Sequence, residues 1–425
     1  MAQGALPGFR DFYPEQFAER AYIIDVWRRV LHRYAFAEYD GPPLEPLDLY
    51  RKKSGDELVG QLYSFTDKGD REVAMRPEMT PTFARMVAAR ANALRKPVRW
   101  FSVPQLFRYE RQQKGRLREH FQLNVDIVGE AAVTADAELL SIALDIMREF
   151  GLTPSNVKAR VSDRRMLQAL LTHAGASDDA MPAVFAVIDK IGREPAAISR
   201  EKLDRSVGAE VSERIDAFLS LNSIDALSSA YGDVPAVAVH VERMHIYFEY
   251  LKALGFGDWV TLDLSIVRGL AYYTGIVFEL FDTAGEYRAI CGGGRYDTLL
   301  STLGGVDLPA LGFGMGDVVV GELLRSKGLM PASASRTDYW VAGEDDSLIS
   351  DVMAVATQLR SRDKSVEYAL KPQQLSRQLK SAVAAGASHA ILLKRDQLNA
   401  GEVTVRDLAE GTERSVSLTE LINSL

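Results

Sequence analysis

Basic side chains crowd into one short stretch of an acidic chain. Within the segment FRYERQQKGRLREHFQ, residues 107–122, the stretch from Arg108 to Arg118 holds five bases and one acid: Arg108, Arg111, Lys114, Arg116, Arg118 and Glu110. The whole chain of 425 residues carries a formal net charge of -8, so the cationic patch is local. Guanidinium groups bind phosphate through charge-assisted hydrogen bonds. The segment therefore predicts either an anion-binding hairpin or a half-exposed strand with a solvated basic loop.

The strand that leaves this loop has two chemically different faces. Successive side chains of a strand point to opposite sides. The apolar set is Phe121, Leu123, Val125 and Ile127, and the polar set is His120, Gln122, Asn124 and Asp126. We expect the first set to face a core and the second to face a ligand or solvent.

Two further segments place charged residues where a ligand could need them. In VAMRPEMTPTF, residues 73–83, Arg76, Glu78 and Thr80 alternate, which predicts an extended segment with one polar face or a proline-rich surface turn. In LSIVRGLAYYTGIVFELF, residues 264–281, Arg268 lies in apolar and aromatic surroundings. A buried arginine is seldom found without an anionic partner.

Three successive glycines precede Arg295 and Tyr296 in AICGGGRYDTLL, residues 289–300. They predict either a tight turn or a place where the backbone approaches a ligand closely. The spacing fits neither a dinucleotide-binding nor a P-loop fingerprint. The tyrosines at 272 and 273 could equally be core residues with satisfied hydroxyls.

Composition narrows the class of protein. With 47% apolar and 25% charged residues the chain is an ordinary globular sequence of two or three domains. Its single cysteine, Cys291, excludes an intrachain disulfide framework and fits a reducing cytosol. No run approaches the ~20 apolar residues of a membrane span, and no histidine pair has metal-site spacing. We expect a cytoplasmic protein without a dedicated metal site.

The hydrophobic patterns predict an α+β chain. Residues 16–35 and about 135–150 read as helices, the second capped by Thr134, and strand-like segments lie between them. Helices dominate from about 160 to 255 and strands return from 259. A polar linker at 326–337 precedes a small α/β domain at 338–425. The first domain would then span residues 1–325.

The four motifs together resemble the histidyl-tRNA synthetase family of class II aminoacyl-tRNA synthetases. FRYERQQKGRLREHFQ is similar to the class II motif 2, and RPEMT, VRGLAYYTG and GGGRYD are similar to peptides of that family. The resemblance covers nearly the whole chain. It implies an antiparallel-sheet catalytic core with a helical insertion, a C-terminal anticodon-binding domain and a homodimer. It also implies ATP, histidine and tRNA(His) as partners, with Mg²⁺ accompanying ATP.

The resemblance further implies residue roles. Arg108 and Arg268 would be catalytic and hold the α-phosphate of ATP. Glu110 would face the adenine, Arg116 the outer phosphates, and His120 would stack on the base. The expected histidine-binding residues are Glu78, Met79, Thr80, Gln122, Asp126, Arg268, Tyr272, Tyr273 and Tyr296. Contacts to the tRNA acceptor end would come from Arg111, Gln112 and Gln113.

The sequence also departs from the family's pattern. Val319 stands where class II enzymes generally present an arginine to ATP, and Arg325, more than a helical turn further on, is the candidate substitute. Ala271 replaces an aspartate of many relatives, and Asp126 is one methylene shorter than the glutamate of many bacterial members. Two alternatives stay open: a non-catalytic paralogue such as the regulatory subunit of ATP phosphoribosyltransferase, and a tRNA-binding or interaction module on a synthetase fold.

Overall fold

The chain forms two compact units. The computed structural model describes residues 4–51, 60–109, 117–268, 272–332 and 337–425. The units are Met1–Met330 and Pro331–Leu425, and each buries an apolar core of its own. Within the described residues no helix is both long and apolar enough to cross a membrane.

A mostly antiparallel sheet frames the first unit, with nine strands among the described residues. Its order is β1 (Ala37–Glu38), β5 (Val98–Ser102), β7 (Glu119–Val128), β12 (Ala310–Gly316), β11 (Cys291–Arg295), β10 (Ile276–Asp282), β8 (Val157–Asp163) and β9 (Val260–Leu262), and β6 (Gln105–Phe107) pairs with the first part of β7. Only the outermost pairs, β1 with β5 and β8 with β9, are parallel in this sheet. A smaller sheet joins β2 (Leu44–Pro46), β4 (Glu72–Met75) and β3 (Ser64–Thr66).

Helices cover this frame and fill the middle of the chain. In chain order, the α-helices that lie wholly within the described residues are α1 (Pro14–Arg33), α2 (Thr80–Ala89), α3 (Val133–Glu149), α4 (Arg164–Ala174), α5 (Met181–Ile188), α6 (Ala196–Val207), α7 (Ala209–Leu219), α8 (Ile224–Tyr231), α9 (Pro235–Ala253), α10 (Leu299–Gly304) and α11 (Asp317–Ser326). Helix α1 packs on α3 and α11, and α9 packs on α3 and α4. Leu123, Val125 and Ile127 of β7 join this core, as the alternation predicts, whereas Phe121 of the same predicted face is only half-buried.

Two local predictions about helices need correction. Helix α1 fully buries Trp27 and Leu31, as expected, but Ile24 and Tyr34 are only half-buried and the rest of its core face is Ile23, Val26 and Val30. The true apolar stripe is thus rotated by about one residue. Helix α3 begins at Val133 and its N-cap is Ala132 without a side-chain bond, so the predicted cap at Thr134 is wrong.

The helical middle of the chain starts later than predicted. Residues 160–163 belong to β8, which pairs with both β10 and β9. The strand starts at Val157, and its apolar residues Val157, Ala159 and Val161 alternate with Lys158, Arg160 and Ser162, a period-2 pattern that continues past the predicted boundary at 160. The first helix begins at Arg164, where the Asp163 carboxylate accepts hydrogen bonds from the backbone N–H groups of Arg165 and Met166 at 2.7 and 3.3 Å.

The second unit is a five-stranded sheet with helices. Its strand order is β14 (Val366–Tyr368), β13 (Tyr339–Gly343), β15 (His389–Leu393), β16 (Glu402–Asp407) and β17 (Glu413–Ser417). Strands β13, β14 and β15 are parallel and the last pairs are antiparallel. Its α-helices are α12 (Ile349–Arg360), α13 (Leu375–Ala384), α14 (Arg395–Asn399) and α15 (Leu418–Asn423). This matches the predicted alternation of strands and helices.

Candidate functional site

A polar cavity opens over the central strands of the large sheet. Its floor comes from β7, β11 and β12, which are adjacent in the sheet. In the β7–β12 register Asp126 stands opposite Gly312, and Asn124 stands opposite Gly314. The polar face of β7 therefore looks into a cavity rather than into bulk solvent.

Glycines make the room for this cavity. A Cβ at Gly292 of β11 would overlap the Arg268 guanidinium, and a Cβ at Gly312 would overlap the Asp126 carboxylate. The glycine triplet is therefore a strand, not the tight turn that was one of its two predicted forms. The Arg268 guanidinium lies where a side chain at position 292 would be, which explains why this position is a glycine.

Two arginines that are 160 positions apart in sequence line this one cavity. Arg108 follows β6 directly, and its Nε donates to the carbonyl of Pro77 at 2.9 Å. Arg268 has φ of +51°, a left-handed conformation that is uncommon outside glycine. Its Nη1 donates to Glu279 Oε1 at 3.1 Å, and its guanidinium lies 5.5 Å from the Tyr273 ring centre.

Carboxylates and tyrosines complete the wall. The cavity-lining side chains expected from sequence are Glu78, Thr80, Gln122, Asp126, Tyr272, Tyr273 and Tyr296. The Tyr296 hydroxyl donates a hydrogen bond to Asp126, and both residues are buried. Burial, followed by the charge of Asp126, raises the pKa of Tyr296 well above its usual value. The phenol thus stays protonated and the carboxylate is the acceptor.

The RPEMT segment bends into a helix sooner than predicted. Thr80 is already the first residue of α2, with Pro81 in the first turn, so the extended stretch ends before it. Arg76 is buried away from the cavity wall. Its Nη1 pairs with Asp40 at 2.6 Å and donates to the Gly41 carbonyl at 2.7 Å. Arg76 therefore anchors the backbone that presents Glu78.

Met79 does not form part of the cavity wall. Its side chain is fully buried, and its sulfur lies 4.0 Å from Arg76 Nη1. The prediction that Met79 contacts the ligand through its side chain has no support in this geometry. The neighbouring Glu78 and Thr80 carry that surface instead.

His120 lies beside the cavity, near Arg108 and Arg10. Burial, and then the charges of Arg108 and Arg10, lower the pKa of His120 to about 3. The imidazole is consequently neutral at physiological pH. Arg10 is held at the same place by Glu119 at 2.6 Å and by Asp317 at 2.9 Å. A neutral ring at this position suits stacking on an uncharged base.

Position 319, where the expected arginine is missing, contributes no cation to the cavity. Val319 packs in the core of the first unit. Arg325 pairs with Glu19 at 2.6 Å and lines a separate cleft with Arg10 and Arg20, so it does not reach the first cavity. The suggestion that Arg325 replaces the missing arginine stays a prediction.

Some predicted residues fall outside the described part of the chain. These are Glu110, Arg111, Gln112, Gln113, Lys114 and Arg116 of the basic loop, and Ala271. Conversely, the cavity adds Asn124, Phe313 and the glycines 292, 312 and 314. The alternation along β7 could have identified Asn124, whereas the alternate glycines of LGFGMG carry only a weak signal by themselves.

Acidic and histidine side chains do not gather into a metal site in the described ranges. There, no group of three or more histidine, cysteine, aspartate or glutamate side chains could hold an ion. The charged groups of the cavity are instead two arginines and two carboxylates.

Comparisons with known sequences match both units. Residues 8–316 match the protein family described as histidyl-tRNA synthetase, and residues 336–425 match the anticodon binding domain family. A histidine–tRNA ligase of Opitutus terrae is 42% identical over 424 residues, covering 97% of this chain and 95% of that protein. The chloroplastic/mitochondrial histidine–tRNA ligase of Arabidopsis thaliana is 39% identical over 415 residues, with 97% and 85% coverage.

Solved structures share the fold at lower sequence identity. A histidyl-tRNA synthetase from Nostoc sp. PCC 7120 superposes with a TM-score of 0.85 at 22% identity, covering 100% of this chain and 99% of that one. A Bacillus halodurans protein described as an ATP phosphoribosyltransferase regulatory subunit/histidyl-tRNA synthetase gives 0.77 at 21% identity, covering 92% and 98%. The predicted fold class is thereby confirmed.

Proposed function

Because the chain belongs to the histidyl-tRNA synthetase family, we propose that its polar cavity activates histidine with ATP and that the protein then charges tRNA(His). In the first step a carboxylate oxygen of histidine attacks the α-phosphorus of ATP. The bond from that phosphorus to the bridging oxygen breaks and pyrophosphate leaves. In the second step a ribose hydroxyl at the tRNA 3′ end attacks the acyl carbon, and AMP leaves.

The observation that carries this proposal is the convergence of Arg108 and Arg268 on one cavity. Attack on the α-phosphorus adds charge to its oxygens in the transition state. Fixed cations at that place stabilise the charge without reorganising. Glu279 and the Pro77 carbonyl hold the two guanidiniums. We assign both arginines to the α-phosphate.

The cavity contains both carboxylates and guanidinium groups, and this combination suits the ammonium and carboxylate groups of an amino acid. Glu78, Thr80 and Gln122 would receive the ammonium group, while Asp126 and Tyr273 would address the two imidazole nitrogens. Tyr272 and Tyr296 would enclose the ring. Buried polar groups left unpaired by any other side chain cost affinity, and such sites discriminate by ~10⁴ to 10⁵ in other synthetases. This arrangement favours histidine without an editing step.

The remaining assignments concern the nucleotide and the tRNA. His120 would stack on adenine, with Glu110 and Arg116 completing the ATP contacts. Mg²⁺ would arrive with ATP as part of the substrate. Arg111, Gln112 and Gln113 would contact the acceptor end, and residues 336–425 the anticodon, which their match to the anticodon binding domain family supports.

The same proposal includes a homodimer at work in the cytoplasm. The small sheet leaves Leu44 and Phe65 exposed, and α1 with Pro42 resembles the family's dimer region. Light scattering should give twice the chain mass of 47.0 kDa. A monomer at working concentrations would refute this part alone.

Histidine-dependent exchange of labelled pyrophosphate into ATP tests the function. We expect exchange with histidine and none with other amino acids, followed by aminoacylation of tRNA(His). Pure protein without exchange would leave the non-catalytic paralogue as the better account. The curated relatives, which are named as ligases over nearly the whole chain, favour the enzyme.

Arg268→Ala should lower the exchange rate by about 10² or more, the scale for removing one transition-state donor. The measurement is kcat for exchange at saturating ATP and histidine. Arg148→Met is a suitable control, because Arg148 pairs with Asp145 of its own helix, away from the cavity. An Arg268 variant as fast as the wild type would mean that the phosphate lies elsewhere.

A further inference from the structure

The backbone of Arg268 needs an external support. Its φ of +51° is unfavourable for a residue with a side chain. Such a conformation persists only where surrounding contacts determine it. The carbonyls on both sides of this strained position, those of Val267 and Arg268, accept hydrogen bonds from one atom, Arg164 Nη1, at 2.7 and 3.2 Å.

Arg164 belongs to the helical middle of the chain. It is the first residue of α4, and its guanidinium lies 4.7 Å from the centre of the Phe185 ring on α5. Among the described residues no carboxylate bonds to it, so the two carbonyls are its hydrogen-bond acceptors. Burial accordingly lowers the pKa of Arg164. A cation held on an aromatic ring thus supports the Arg268 backbone.

A second contact joins the same region to the Arg268 side chain. Arg268 Nη1 donates to Glu279 Oε1, and Arg193, which follows α5, lies 3.8 Å from Glu279 Oε2. The helical region therefore approaches both the backbone and the carboxylate partner of Arg268. These contacts are independent of the strands that position Arg108.

We propose that Arg164 is a positioning residue that holds Arg268 in its phosphate-binding geometry, so that the helical region acts on the activation step. The inference rests on the proposed function and deepens it. Without Arg164 the two carbonyls lose their donor and the backbone can leave the left-handed region. The Arg268 guanidinium then shifts, and displacements of about 1 Å cost ~10² in rate.

A double-mutant cycle on pyrophosphate exchange tests the proposal. The variants are Arg164→Met, Arg164→Lys, Arg268→Ala and Arg164→Met with Arg268→Ala. We expect Arg164→Met to lower kcat ~10- to 100-fold while the Michaelis constants for ATP and histidine change less than about threefold. Lysine should restore part of the rate. In the Arg268→Ala background the Arg164 change should cost almost nothing, because its target is gone.

Arg148→Met is the matched control, since Arg148 also stacks on a phenylalanine, Phe256, at 4.9 Å. It should leave kcat unchanged. If Arg164→Met does not fold, Phe185→Leu removes the supporting ring and should lower kcat several-fold without changing the Michaelis constants. Each variant is also melted, so that loss of folded protein is separated from loss of rate.

Three results would overturn the inference. One is wild-type kcat in the Arg164→Met or Phe185→Leu protein. Another is a double variant whose fold-loss in kcat equals the product of the losses in the Arg164→Met and Arg268→Ala proteins, because the two residues would then act independently. The third is a fully active Arg268→Ala protein, which leaves no arginine to position. A wild type without histidine-dependent exchange would instead reject the proposed function, which the same assay reveals first.

Discussion

Asp126 and Tyr296 set the polarity at the end of the cavity where we place the imidazole. The Tyr296 hydroxyl donates to the carboxylate, and the high pKa of this buried phenol keeps the proton on tyrosine. The carboxylate oxygens of Asp126 are therefore acceptors, and we place a ring N–H of the imidazole against them. Substitution by an amide keeps the shape and removes the charge.

Asp126→Asn should raise the Michaelis constant for histidine by about 10-fold or more, since a hydrogen bond to a charged group contributes ~1.5 to 3 kcal/mol. The constant for ATP should change much less. Steady-state exchange kinetics with each substrate varied in turn measure both. Tyr296→Phe keeps the carboxylate and should have the smaller effect on histidine. Equal increases for ATP and histidine would contradict the imidazole assignment.

His120 gives the folded state a pH dependence of known sign. The folded pKa is about 3, whereas an unfolded histidine has a pKa of ~6.5. Between these values only the unfolded chain takes up the proton. The contribution of neutral His120 to the free energy of unfolding is therefore complete above pH ~6.5, and it is lost as the pH falls toward 3.

His120→Phe should remove this dependence. Between about pH 7.5 and 5.0 the wild type should lose up to ~2 kcal/mol more unfolding free energy than the variant. Urea titrations of ligand-free protein at both pH values measure the difference. Identical losses would show that His120 is protonated in the folded state.

At the scale of elements, three adjacent strands form the site because two of them lack side chains where the ligand must lie. On β11 and β12, the glycines Gly292, Gly312 and Gly314 lie on the same side of the sheet as the polar side chains of β7. Sheet pairing supplies rigidity that loops would not give. A methyl group on this floor would meet the functional groups themselves.

Gly292→Ala should lower exchange kcat by ~10² or more, because the added Cβ displaces the Arg268 guanidinium. Gly316→Ala is the matched control at the end of β12, where a Cβ would meet no atom within 4 Å. The control should retain wild-type kcat. An active Gly292→Ala protein with unchanged melting temperature would contradict the close approach of Arg268 to this strand.

At the scale of the whole molecule, the proposed activation site and the proposed contact with the tRNA anticodon lie in different units of the chain. The cavity lies entirely within Met1–Met330, while Pro331–Leu425 has its own sheet and its own core. Activation should therefore need only the first unit. Transfer to tRNA should need both.

A chain ending at Met330 should keep histidine-dependent pyrophosphate exchange within about threefold of the full protein and lose at least ~10² in kcat/KM for tRNA charging. Exchange and charging assays on the same preparations give the ratio. Circular dichroism establishes that the shortened chain is folded. Equal losses in both assays would mean that the second unit supports the cavity itself.

Sequence motifs predicted much of the cavity but not its arrangement. Alternation along β7 correctly separated Leu123 and Val125 from Gln122 and Asp126, because a strand's period depends only on its own residues. Residue type alone did not predict where a helix begins or which partner a side chain contacts, because tertiary contacts decide both. Thr134 has the chemistry of a cap but lies inside α3, and Arg325 is turned toward Glu19.

The sequence by itself determined the family, the fold class and the residue types of the cavity, since these follow from motifs and short-range periodicity. Only the tertiary structure decided that the glycine triplet is a strand, that Gly292 lies under Arg268 and that Arg164 supports the Arg268 backbone. The physical reason is that pairing across a sheet brings together residues that are far apart in sequence. No local pattern encodes which partner a strand or a guanidinium will meet.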